Sequence, residues 1–192
     1  MLSETERVSA EKTEQEQKES TRQLERQVAV LPQHNEGESA SQQEVVLLCL
    51  LAGLGNSYSQ LEDKPIPTDF TPGAMREIAS AAINLLDNSG LDSISLLQLG
   101  EDRIINQRPA REVLSEYMMR AQNVSDEKKR IWFVLDYIYR LRISVYTARK
   151  NELAVLFDGM PEGPDREATK KNLLQITEYI RYLRGKMKEQ QV

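Results

Sequence analysis

Residues 131–157 read IWFVLDYIYRLRISVYTARKNELAVLF. No Gly or Pro interrupts the run, so nothing within it stops a helix. It holds the only Trp of the chain, three Tyr and three Arg. Sorted at helical period, Val134, Ile138, Leu141, Val145, Ala148 and Val155 form one apolar stripe. Trp132, Leu135, Tyr139, Arg142, Tyr146, Arg149 and Leu153 form a second stripe beside it. A helix with two occupied flanks touches elements on more than one side. It is the centre of its own bundle, or it is shared with another chain.

The neighbouring residues extend this helix. Ser125, Asp126 and Glu127 supply a cap and an acidic first turn, which suits the positive end of the helix dipole. An unbroken helix over 126–157 would be about 48 Å long. DGMPEGP then breaks the chain, and a last helix is expected over 165–189. There Leu173, Ile176, Ile180, Leu183 and Met187 step by three and four, a heptad-like seam suited to packing within a bundle.

Upstream, Ser41 stands three residues before Glu44, a capping-box spacing, ahead of the dense apolar run VVLLCLL. AGLGNS stops that helix, and LEDKPIPTDFTP is expected as an extended connector held straight by Pro65 and Pro67. Thr71-Pro72 reads as the start of the next helix, with Met75, Ile78, Ala79, Ala82, Leu85 and Leu86 on its inner face. LDSISLLQLGEDRIINQ is read as short helical turns. Pro109 opens a further helix with Val113, Leu114, Tyr117 and Met118 on one side. No stretch combines alternation, β-branched runs and hairpin turns into a clear strand. The chain is therefore read as all-α, a helical bundle built around one long central helix. Residues 41–192 form the bundle. Residues 1–40, rich in Glu, Gln, Lys and Ser, are read as a flexible polar arm with at most a short helix.

Composition narrows the chemistry. One Cys (Cys49) and one His (His34) cannot build an ordinary zinc site within one chain, and His34 lies in a polar, turn-rich stretch. No phosphate-binding loop is present, and Glu101-Asp102 is better read as a surface turn than as a catalytic pair. No catalytic residue, cofactor or metal is expected. The start is polar and acidic without an apolar core, and Val45 to Leu54 is about half the length of a membrane span. An intracellular protein, in cytoplasm or nucleus, is the expectation. The net charge of −5 is uneven: residues 1–125 hold 11 Lys+Arg against 20 Asp+Glu, and residues 126–192 hold 14 against 10. The basic end invites a polar partner, but its excess is too mild to predict nucleic-acid binding, which is left open.

Trp, Tyr and Arg are the types enriched at interface hot spots, and Arg stacks on aromatic faces while clamping carboxylates. Trp132, Tyr139, Arg142, Tyr146 and Arg149 are thus candidates for partner binding, with Arg142 and Arg149 held by tyrosines and pointing outward. The competing reading pairs these arginines with Asp or Glu of the same chain.

The stretches EKKRIWFVLDYIYRLRISVYTARKNEL and REATKKNLLQITEYIRYLRGKM, through Tyr139, Arg140, Arg142, Lys150, Tyr179 and Leu183, resemble the helical domain of GINS-family DNA-replication subunits. The resemblance spans roughly residues 110–188. It implies a non-enzymatic scaffold in a hetero-oligomer with other protein subunits, in the replicative helicase assembly. Those subunits also carry a small β-rich domain, and residues 1–70 here do not read as strands. The other class that fits is a helical adaptor, chaperone or regulator of a secretion or envelope machine.

Overall fold

The computed structural model describes residues 40–124 and 126–189; the 1–39 part of the arm and Ser125 lie outside them. All the described residues belong to the unit Asn35–Val192. Ala40 is buried, and its carbonyl accepts a 2.8 Å bond from the Asn106 amide, so Ala40 packs with the bundle.

Helix α1 (Gln42–Leu51) starts on the expected capping box: the Ser41 hydroxyl accepts from the Glu44 N–H, and the Glu44 carboxylate accepts from the Ser41 N–H. Val45, Leu47, Leu48, Cys49, Leu50 and Leu51 are all buried, so α1 is apolar on every side. That is the composition of a helix enclosed by neighbours rather than of one lying on a surface. It packs against α4 and α5 and also touches α2 and α3, whose ranges follow.

Past a 3₁₀ turn at Gly55–Gln60, the connector is not straight as its prolines suggested. It bends through a second 3₁₀ turn, Pro67–Asp69, where the Asp69 carboxylate accepts from the Ile66 N–H at 2.9 Å. Helix α2 (Ala74–Asn88) begins two residues later than expected, after Gly73 at φ 90°. Thr71 does not cap it. Its N–H and its hydroxyl both donate to Glu44, the latter at 3.1 Å. One buried carboxylate thereby anchors the starts of both α1 and α2.

Helix α3 (Ser93–Leu99) is capped by Asp92, whose side chain accepts from the Ser95 N–H at 2.7 Å. The turns expected after it are instead a two-residue β-hairpin. β1 (Ile104–Ile105) pairs antiparallel with β2 (Arg108–Pro109) across Asn106 and Gln107, at φ 52° and 64°. Helix α4 (Ala110–Gln122) follows and buries Val113, Leu114, Tyr117 and Met118 as its period predicts.

Helix α5 (Glu127–Gly159) is 33 residues long, about 50 Å, and Asp126 caps it by accepting from the Lys129 N–H at 2.9 Å. Helix α6 (Pro164–Glu189) turns back and packs along α5. Its Ile176, Ile180 and Leu183 are buried, with Tyr179 beside them; Leu173 and Met187 are only half-buried. The fold is all-α apart from the small hairpin.

The apolar stripe of α5 is not uniform. Val134, Ile138 and Leu141 are buried, Val145 and Ala148 are half-buried, and Val155 is 74% exposed. The part of α5 around Tyr139 and Arg142 meets the connector, whereas at its far end Val155 and Leu156 stand exposed. Leu141→Ala is expected to cost about 2–5 kcal/mol and Val145→Ala distinctly less. Val155→Ala should fall within about 0.5 kcal/mol of the parent. Urea unfolding of the three variants gives the ranking, and equal losses at Leu141 and Val155 would refute this account of the stripe.

Candidate interaction surface on the terminal helix pair

Tyr139, Arg142 and Tyr146, three of the five residues picked out on α5, lie inside the fold at 0%, 3% and 5% exposure. The expectation that Arg142 points outward to a partner is corrected. Its Nε donates to Asp69 Oδ1 at 3.0 Å, and its Nη2 donates to the Lys64 carbonyl at 2.7 Å. Its Nη1 stands 3.6 Å from Asp63 Oδ1. The Tyr139 hydroxyl donates to Asp63 Oδ2 at 2.7 Å. These acceptors sit on the bent connector before α2, which lies against α5.

The electrostatics follow from burial. Desolvation works against the Arg142 charge, but Asp69, Tyr179 and Asp63 outweigh it and hold the guanidinium above its ordinary pKa. Burial pushes the Asp69 carboxyl up, against the pull of Arg142 and of the Ile66 N–H. Burial, then the bond to Asp63, raises the Tyr139 hydroxyl as well. Tyr146 packs edge-on against Tyr179 of α6, with ring centroids 4.7 Å apart, and Tyr179 stacks on Tyr182. Lys186 of α6 donates to Glu62, again on the connector. The aromatic and arginine positions of the opening stretch therefore clamp connector, α5 and α6 together.

Trp132 and Arg149 remain nearer the surface. Trp132 is half-buried, edge-on to Phe133 at 4.9 Å. Arg149 Nη1 donates to Glu152 at 2.9 Å, one turn on, with its side chain 20% exposed.

The open surface lies farther along. Beyond Tyr146, Leu153 is the only buried residue of α5. Val155 and Leu156 are exposed there, as is Leu174 on α6. Between the two helices runs a groove of about 240 Å³, floored by Ile180 and lined by Thr147, Lys150, Asn151, Thr177, Arg181 and Arg184. Along α6 the residues Lys170, Leu174, Thr177, Arg181, Arg184 and Lys188 step by four and three, so they share one outward stripe. None of its four cations, nor Lys150, forms an ion pair among the described residues. That spacing was visible in the sequence, but the apolar seam of the same helix drew the reading to its other side.

No protein family matches this chain, and no curated protein or solved structure does.

Two other reactive side chains are buried or partly buried. The Cys49 thiol donates to the Leu114 carbonyl, and burial pushes its pKa up to about 12, which suppresses the nucleophilic thiolate. An open cleft of about 910 Å³ beside the end of α2 includes Tyr58, whose hydroxyl is pushed up to about 12 by burial and by Asp87. No cluster of three or more metal-ligating side chains occurs among the described residues, and no helix there is long and apolar enough to cross a membrane.

Arg142→Gln leaves Asp69 buried without its counter-charge and should cost about 3–5 kcal/mol. Arg149→Gln removes a partly exposed one-turn pair and should cost about 1 kcal/mol or less. Chemical denaturation of the two single variants compares them directly, and a stable Arg142→Gln protein would show that the clamp is dispensable.

Proposed function

We propose that this chain is a non-enzymatic interaction subunit of a multiprotein complex, with the far part of the α5/α6 pair as its contact arm. The observation that carries this is the unequal burial of α5. The helix continues for 13 residues past Tyr146 yet buries only Leu153, while Val155 and Leu156 stand exposed. Helical stability in proteins comes mainly from packing an apolar face, so uncovered apolar residues on a long helix fit a surface that a second protein covers.

Within this class, a GINS-like subunit of the replicative helicase assembly is the specific form proposed. Of the residues that carry the resemblance, Tyr139, Arg142, Tyr179 and Leu183 are buried, and they join α5 to α6 or to the connector. The likeness thus rests on positions that shape the helix pair. An adaptor, chaperone or regulator of a secretion or envelope machine uses the same kind of arm and is the alternative.

The test is affinity capture of the tagged full chain from its native cells, with the stoichiometry of co-purifying proteins measured. Stoichiometric partners are expected, and the paired change Val155→Glu and Leu156→Glu should release them without lowering the melting temperature by more than a few degrees. Replicative helicase subunits would select the first form, and secretion or envelope components the second. A chain that elutes alone would overturn the proposal.

A further inference from the structure

The groove on the helix pair points to the chemistry of what the arm holds. We infer that it receives an acidic, amphipathic segment of a partner protein, whose carboxylates pair with Lys150, Arg181 and Arg184 and whose apolar side chain covers Leu174. This deepens the interaction-subunit reading and rests on it.

The first ground is charge without partners. Most of the other arginines of the bundle are matched within it: Arg140 with Asp136, Arg142 with Asp69, Arg149 with Glu152, Arg166 with Glu162. Lys150, Arg181 and Arg184 converge on one groove and form no ion pair among the described residues. Lys170 and Lys188 continue the same outward stripe of α6 on either side, over about 27 Å. An extended segment of about eight residues covers that length.

The second ground is the chemistry between the cations. Thr147 and Asn151 add a hydroxyl and an amide donor at the groove, where a carboxylate is clamped by arginine and bonded by its neighbours, while the Thr177 hydroxyl donates to the Leu173 carbonyl of its own helix. Leu174, 58% exposed, interrupts the stripe of cations. A phosphate backbone leaves such a leucine uncovered, whereas a peptide with an apolar side chain among its acids covers it. Affinity for a nucleic-acid backbone grows with the number of phosphates neutralised. A few cations in a short groove suit a short acidic segment better.

The test titrates the purified full chain with a fluorescein-labelled amphipathic peptide of Glu and Leu and, separately, with a labelled single-stranded oligothymidine of equal charge. Saturable peptide binding at low salt is expected. Raising the salt should weaken it, and the paired change Arg181→Glu and Arg184→Glu should weaken it about tenfold or more. Lys150→Gln should weaken it less, and Arg181→Lys with Arg184→Lys should restore part of the loss. These side chains are at or near the surface, and circular dichroism of each variant checks that the fold is kept; the mild Lys150→Gln change decides should the reversal misfold. Undiminished binding by the variants would overturn the inference, as would tighter binding of the oligothymidine. Salt-sensitive self-association of the chain, abolished by the same reversal, would assign the groove to a second copy and overturn it too. Cellular capture separates this from the broader reading. Partners retained by the charge-reversed variant would leave the interaction subunit standing and remove the groove. Loss of all partners from the parent chain would remove the subunit reading, while the peptide titration still judges the groove.

Discussion

A guanidinium almost sealed from water sets the terms for this fold. Arg142 is 3% exposed, and the Asp69 side chain that meets it is as deeply buried. Two such charges are costly to dehydrate, and their attraction compensates only where the geometry is good and the remaining donors are satisfied. The connector meets both conditions. Its Pro67–Asp69 turn aims the Asp69 carboxylate while fixing the Ile66 N–H, and the Lys64 carbonyl takes a further donor. Asp63, held by the Tyr139 hydroxyl, stands on the remaining side. Sliding α5 by one turn would move Arg142 about 5.4 Å and strand it away from all of these groups. The pair therefore fixes the axial position of α5, and with it where α6 runs and where the groove opens.

How much of this was legible depends on the range of the interaction. The helix starts at Ser41 and Asp126 were readable, because a cap and the N–H it satisfies lie within three residues. The inner faces of α2 and α4 were readable from period alone. For Arg142 a pairing with Asp or Glu of the same chain was one of the two readings, and it pairs with Asp69; which acceptors it meets was not legible, since they lie 73 or more residues upstream and spacing along the chain says nothing of such a meeting. Thr71 misled for a related reason. A hydroxyl before Pro72 looks like a cap, but Glu44, 27 residues away, competes for it and wins. The β-hairpin was too short to show alternation, with only two residues in each strand.

Val155 shows a different limit. Periodicity marks a face able to be buried, while burial needs a neighbour opposite that face. Near Leu141 the stripe is buried, with the connector bonded to Tyr139 and Arg142; at Val155 the same pattern stays open. An apolar period that outruns its cover is therefore evidence about contacts beyond the chain, more than about its core. The five candidate residues divide along this line: those near the connector serve the fold, and the open surface begins where they end.

This division bears on what the helix pair can do. The inner end is tied by a buried ion pair, by the Tyr139–Asp63 bond and by Lys186 reaching Glu62. The outer end carries exposed apolar side chains, and the outward face of α6 carries cations that are unmatched among the described residues. A surface mounted on so firm a base loses less freedom when it is covered than a loop would, so more of its contact energy remains for binding. The same mounting makes α6 a two-sided element. Ile176, Ile180 and Leu183 face α5, while the stripe from Lys170 to Lys188 faces out. Changing the outward residues should alter what is held without altering how the helix sits, because the inner seam and the connector have already fixed its place.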